Sequence, residues 1–127
     1  MLTLLLAVGA LFLSYLINKI LLGLLRERAI IFAAPLIEEL AKTIPAYTLN
    51  RPILLVHFFF GVGEAIYDLV NSSEETGKWA GLVSILSHLF FAAIVYLSLA
   101  FSGSIYLAIS LAILAHVLFN YIIMKGS

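Results

Sequence analysis

A small set of ionisable and polar side chains lies within otherwise apolar sequence. In chain order these residues are Glu38, Glu39, Lys42, Glu64, His88, His116 and Asn120. Carboxylates and imidazoles can bind a divalent cation, and a carboxylate can remove a proton from water. Near the centre of a bilayer each charged side chain costs about 2.5 to 3.5 kcal/mol on insertion scales, so ionisable residues there are candidates for function. The set therefore indicates water activation or cation binding.

The composition indicates that these residues lie in a membrane. Of 127 residues, 64% are hydrophobic and only 11% are charged. Because a span needs about 20 residues, five helices with tight loops account for nearly the whole length. We predict an all-α, polytopic transmembrane bundle of about five helices in a single integral-membrane domain. The expected spans are 2–25, 29–49, 53–70, 79–101 and 104–124, and the stretch 71–78 is expected to be the only sizeable loop.

Charge and cysteine content exclude several other classes of protein. The chain has seven basic and seven acidic residues, a formal net charge of zero, so it has no polycationic surface for nucleic acid. It also lacks cysteine, which excludes disulfides, thiolate metal sites and a cysteine nucleophile. The expected surroundings are a lipid bilayer, without a nucleic-acid partner.

The distribution of basic residues predicts the orientation. Arg51 is the only basic residue expected on one side of the membrane. The other side, with its flanks, holds Lys19, Arg26, Arg28, Lys78 and Lys125. The positive-inside rule then places the N-terminus outside and the C-terminus in the cytoplasm, with the plasma (inner) membrane as the expected location. A cleaved signal peptide is the alternative interpretation of the first segment.

The buried acids and imidazoles are expected to share one depth. From the helical rise, Glu38, Glu39, Glu64, His88 and His116 all lie roughly 10 to 15 Å from the cytoplasmic boundary. Residues that were placed independently for helix packing would have no reason to share a depth, so we expect a single polar site. By the same count His57 is expected at the opposite interface, and Asp68 near the cytoplasmic boundary, solvated or capping.

Helical spacing leaves the pairing of the acids open. Lys42 can neutralise Glu38 at four residues or Glu39 at three, and either choice leaves one acid beside Glu64. Two carboxylates with two neutral imidazoles match a divalent cation. The alternatives are protonated acids, structural ion pairs and interhelical hydrogen bonds.

Four motifs, in order on successive predicted helices, resemble those of PrsW-type intramembrane metalloproteases. They are Glu-Glu-Leu-Ala-Lys at 38–42, Phe-Gly-Val-Gly-Glu at 60–64, His88, and His-Val-Leu-Phe-Asn at 116–120. The wider superfamily includes type II CAAX prenyl endopeptidases and the scaffold subunit of γ-secretase. The chain departs from the PrsW branch in ending the last motif with Asn120 instead of Asp, and in being shorter than most relatives.

The resemblance implies a catalytic arrangement. Glu38 would be the general base, Glu39 would pair with Lys42, Asn120 would donate to the oxyanion, and Phe60 would support the site. The expected cofactor is zinc, with a ligand set of Glu64, His88 and His116. A metal-free mechanism, in which Glu38 activates water and the histidines stabilise the oxyanion, is the alternative.

The resemblance also implies a substrate. It would be a membrane-anchored protein or peptide that is cut near the cytoplasmic leaflet, and the oligomeric state, including a homo-oligomer, is left open. Two functions from other classes compete with the peptidase. One is a non-catalytic membrane scaffold of the same fold, and the other is an ion or proton carrier that uses the same carboxylates and imidazoles.

Overall fold

A computed structural model describes residues 1–126 and contains no strand among them. Its helices are α1 (Leu2–Leu25), α2 (Ala34–Thr48), α3 (Ile53–Asn71), α4 (Glu74–Ser102) and α5 (Ile105–Gly126), and a π-helical turn (Ala29–Ala33) precedes α2. By length and composition α1, α3, α4 and α5 can each cross a membrane. The predicted all-α membrane bundle is confirmed.

The π-helical turn before α2 follows from the position of a proline. Pro35 has no backbone N–H, so it cannot donate to a carbonyl in the preceding turn. The N–H of Ala34, which could have served the Ile30 carbonyl, bonds to the Ala29 carbonyl instead. Neither Ala34 nor Pro35 therefore donates a hydrogen bond to the Ile30 carbonyl, which needs another donor.

The fourth helix begins earlier than the sequence predicts. The loop expected at 71–78 is wrong, because the break between α3 and α4 is confined to Ser72 and Ser73. The Ser73 side chain accepts a hydrogen bond from the Thr76 backbone N–H at 3.4 Å, and two glutamates in the first turn of α4 favour a helix start there. The tight turn expected after α2 is present, with Asn50 in the left-handed region at φ 50°.

Helix α2 lies inside the bundle, in contact with α1, α3 and α5. Helix α4 packs against α3 and α5, and glycine allows the close approach of α3. A Cβ atom at Gly61 would lie 3.1 Å from the Ile85 Cα and 3.2 Å from the Ser84 carbonyl oxygen. Among residues 1–126, no Cα atom of α1 lies within 8 Å of a Cα atom of α4 or α5. The bundle is therefore open between α1 and the α4–α5 pair.

The burial pattern is that of a membrane protein. Large apolar side chains cover the outside; Phe101, for example, is 90% exposed and Trp79 65%. The polar and charged side chains that are buried lie instead at the helix contacts: Ser14, Glu38, Glu39, Lys42, Thr43, His57, His88 and His116. An outer surface of this kind suits lipid, and it leaves the interior as the place for polar chemistry.

Candidate active site

A buried lysine joins three helices at the centre of the site. The Nζ atom of Lys42, on α2, lies 2.7 Å from Glu39 Oε1 and 2.9 Å from Nδ1 of His88 on α4. It also lies 4.5 Å from the centroid of the Phe60 ring on α3. Because the side chains of Lys42 and Glu39 are fully buried, neither charge is screened by solvent. The ammonium therefore fixes Glu39 and His88 relative to each other.

Glu39 also positions the histidine of α5. Its Oε1 lies 3.0 Å from Nδ1 of His116, and the His116 ring stacks on Phe91 with centroids 4.3 Å apart. A carboxylate can only accept, so Nδ1 of His116 carries a hydrogen, and in the neutral ring Nε2 is then the acceptor. Glu39 is thus fully buried between Lys42 and His116, and it does not face the gap between α1 and the α4–α5 pair.

Glu38 has a different environment from its neighbour. Its Oε1 accepts a hydrogen bond from Asn18 Nδ2, on α1, at 3.1 Å, and its Oε2 lies 3.8 Å from His116 Nε2. No lysine or arginine pairs with it in the described part of the chain. Of the two adjacent glutamates, only Glu39 forms an ion pair with a lysine, and Glu38 does not.

Glu64 completes the polar layer from α3. His88 Nε2 lies 2.6 Å from Glu64 Oε2, and the Ser84 hydroxyl donates to the same oxygen at 3.0 Å. An ammonium can only donate, so the contact with Lys42 makes Nδ1 of His88 an acceptor and leaves its hydrogen on Nε2. His88 then donates that hydrogen to Glu64.

A cavity of about 1540 Å³ occupies the gap between α1 and the α4–α5 pair. Glu38, Glu64, His88, His116 and Asn120 line it, together with apolar and aromatic side chains from α1, α3 and α4. Glu39 and Lys42 do not line it. The site therefore has an inner layer that positions groups and an outer layer that faces the cavity.

Two groups of side chains, each with three ligand atoms within 4.8 Å of one another, have donors that suit a metal ion. One consists of Glu38, Glu64 and His88, and the other of Glu39, His57 and His88. The second lies around the ammonium of Lys42. The predicted zinc set of Glu64, His88 and His116 is not among the groups found in residues 1–126; the group that includes Glu64 and His88 has Glu38 as its third member.

The predicted oxyanion donor has a structural partner. Asn120 Nδ2 donates to the Ile30 carbonyl at 2.9 Å, which supplies the donor that Pro35 cannot. One amide hydrogen of Asn120 is used in this way, and the other has no acceptor among residues 1–126.

His57 does not lie where the sequence predicts. It is fully buried, and its Nε2 lies 3.1 Å from Thr43 Oγ1 and 3.9 Å from Glu39 Oε2. The expectation of an interfacial residue is wrong, because α2 covers this face of α3. Sequence reasoning also missed Asn18, Thr43 and Ser84, the hydrogen-bonding partners of three site residues. For Asn18, the signal was an amide within an apolar span.

No family model matches the chain, and neither the curated proteins nor the solved structures contain a match.

Proposed function

We propose that this chain is an intramembrane peptidase that hydrolyses a membrane-anchored polypeptide, as the proteins that its motifs resemble do. The observation that carries the proposal is the difference in environment between two adjacent glutamates. Glu39 is held by Lys42 and His116. Glu38 borders the cavity of about 1540 Å³, and no lysine or arginine of residues 1–126 pairs with it. A general base needs that combination of a fixed position, access to substrate and an unneutralised carboxylate.

Glu38 and His116 are spaced to hold the attacking water. Their Oε2 and Nε2 atoms are 3.8 Å apart, so one water molecule can donate a hydrogen bond of about 2.8 Å to each. The water oxygen then presents a lone pair to the cavity. Glu38 takes one proton as the oxygen attacks the peptide carbonyl carbon, and it returns the proton to the leaving nitrogen as the C–N bond breaks. The second proton of the water stays on the acyl product, so the products are a carboxylic acid and an amine.

The developing oxyanion needs donors on the cavity side. The second amide hydrogen of Asn120 and the Nε2 hydrogen of His88 are the two candidates. His88 gives its hydrogen to Glu64 at 2.6 Å, so it must turn from that carboxylate to serve the oxyanion. Asn120 needs no such exchange, and we assign it the main donor role.

Lys42 positions Glu39 and His88 but does not line the cavity. It fixes Glu39, which sets the tautomer of His116, and it fixes the tautomer of His88 directly. Each contact thereby defines which ring nitrogen carries the hydrogen when the imidazole is neutral. Lys42 and Glu39 are positioning residues, and Phe60 covers the ammonium on the side of α3.

Zinc fits the residues by donor type and spacing. Glu38, Glu64 and His88, whose ligand atoms lie within 4.8 Å of one another, would hold it. The ion would supply a Lewis acid and a more acidic water. It would also have to replace the hydrogen that His88 Nε2 donates to Glu64. Because the side chains already present a base and donors, we propose activation of water by Glu38 itself.

The proposed setting is the plasma (inner) membrane, with the N-terminus outside and the C-terminus in the cytoplasm. The support is the excess of basic residues at the end of the bundle that holds the α3–α4 loop. Substrate would then enter from the bilayer, through the gap between α1 and the α4–α5 pair.

The experiment that tests the function is cleavage of a membrane-tethered reporter in proteoliposomes. Wild-type protein should release the reporter, and Glu38→Gln should not, while both run identically on size exclusion. Loss of assembly in the variant would indicate a scaffold. Loss of cation- or pH-driven flux, without any cleavage by the wild type, would indicate a carrier.

A further inference from the structure

The charged side chains that line the cavity are predominantly acidic. Lys19 is the one basic residue among the lining side chains of residues 1–126, against the four acidic residues Glu38, Glu64, Asp68 and Glu75. Glu64 and Asp68 are one helical turn apart on α3, and Glu75 lies in the first turn of α4. The acids thus run from the proposed reaction centre to the α3–α4 end of the cavity, and they favour a ligand that carries positive charge.

Asp68 is the acid best placed to bind a basic side chain of a substrate. It is half-buried, and its carboxylate has no hydrogen bond or ion pair within the described chain. Glu74, at the same end of the bundle, differs because it is paired with Lys78 at 2.5 Å and does not line the cavity. Asp68 lies about 6 Å beyond Glu64 along the helix axis, the distance that about two residues of an extended chain cover.

The wall formed by α1 independently indicates a polypeptide backbone. Within residues 1–126 the buried hydroxyl of Ser14, a residue only 2% exposed, has no hydrogen-bond partner, and neither has the buried Oδ1 of Asn18. Both residues line the cavity, one turn apart, which is about 6 Å. Backbone groups on one edge of an extended strand repeat at about 6.6 to 6.8 Å. Peptide groups within a membrane need such partners.

We propose that the cavity binds an extended polypeptide segment along Ser14 and Asn18, with a Lys or Arg side chain of that segment paired with Asp68. The basic residue would lie about two residues from the cleaved bond, toward the α3–α4 end. Membrane polypeptides carry Lys and Arg at their cytoplasmic flanks, which makes such a segment a natural ligand. The inference rests on the proposed function for the position of the cleaved bond, but the binding preference can be tested separately.

The test measures binding of fluorescent transmembrane peptides to the Glu38→Gln protein in nanodiscs. The peptides carry Lys, Gln or Glu at each of several successive positions near one end. We expect one position at which Lys binds at least about threefold more tightly than Gln. Asp68→Asn should remove the preference for the Lys peptide, and Asp68→Glu should keep it. Asp68→Lys should instead make the Glu peptide bind most tightly. Ser14→Ala should weaken the binding of all three peptides by the same factor.

Glu27→Gln is the matched control, because Glu27 is an exposed acid near the same end that does not line the cavity. It should leave every preference unchanged. An undiminished Lys preference in Asp68→Asn would overturn the proposal, and so would equal binding of Lys and Gln peptides at all positions. Because the assay uses a non-cleaving variant, absence of cleavage by the wild type would refute the proposed function without altering this result.

Discussion

Lys42 and His88 are joined by a 2.9 Å contact between Nζ and Nδ1, across two helices that the chain separates by 46 positions. Because the ammonium can only donate, it determines which nitrogen of His88 carries a hydrogen. It also holds Glu39 at 2.7 Å. One buried cation therefore sets the hydrogen-bonding roles of the two residues that it contacts.

Replacement of Lys42 by Met should destabilise the protein strongly. The change leaves the Glu39 carboxylate buried without its cation, and breaking a buried pair in this way typically costs about 3 to 5 kcal/mol. Thermal unfolding in detergent measures the effect. Lys78→Met is the matched control, because its ion pair with Glu74 is exposed and should contribute little. Equal midpoints for the two variants would contradict the role assigned to Lys42.

Asn120→Ala should lower stability and cleavage by separate routes. The Ile30 carbonyl loses its donor, and because this hydrogen bond is exposed the loss should cost about 0.5 to 1.5 kcal/mol. Loss of an oxyanion donor should reduce kcat by about 100-fold or more. Pro35→Ala restores a backbone N–H in the turn above Ile30. In that background the stability cost of Asn120→Ala should shrink, whereas the loss of kcat should not. An unchanged stability cost would show that Asn120 does not substitute for the missing amide.

Two glycines on α3 should respond differently to alanine. A Cβ at Gly61 would meet backbone atoms of Ile85 and Ser84 at 3.1 and 3.2 Å and the His88 ring at 3.2 Å, so α3 and α4 must separate. Gly61→Ala should therefore lower the thermal midpoint and impair the site. At Gly63 the nearest atom is the flexible end of Leu11, at 2.5 Å, which can rotate away. Gly63→Ala should be tolerated, and the reverse order of the two midpoints would contradict the packing described.

Metal content distinguishes the two ways of using Glu38. With Glu38 as the base, purified active protein should contain far less than one zinc per chain, and chelation should leave cleavage intact. Elemental analysis and an assay after dialysis against a chelator provide the measurement. One tightly held zinc per chain, lost in Glu64→Gln but retained in Glu27→Gln, would instead make Glu38 a ligand of the ion and overturn its role as the base.

The fold class and the membership of the polar cluster were predictable from sequence because both depend on one-dimensional quantities. Apolar length gives the helices, and the count of residues from each helix end gives the shared depth of Glu38, Glu64, His88 and His116. The structure brings these residues together. The start of α4 was missed because the polar stretch at 71–78 looks like a loop by composition, although Ser73 and the acids after it form a helix cap.

Pairings within the site were not predictable because they depend on how the helices are rotated and how they cross. Spacing allowed Lys42 to reach either glutamate, and the burial of α2 against α3 and α5 decides for Glu39. His57 was assigned to the interface by its distance from the end of α3, yet Thr43 of α2 covers it. The depth of a residue along a helix can be counted from sequence, but the neighbour that it faces cannot.

The most direct measurement is the rate of reporter cleavage by Glu38→Gln in proteoliposomes, beside wild type and Glu27→Gln. Removal of a general base should reduce the rate by at least about 100-fold. The thermal midpoint should stay close to that of wild type, because the glutamine oxygen can still accept the hydrogen bond from Asn18. Glu27→Gln should match wild type in both measurements. Cleavage by Glu38→Gln at the wild-type rate would contradict the central claim that this carboxylate activates the water.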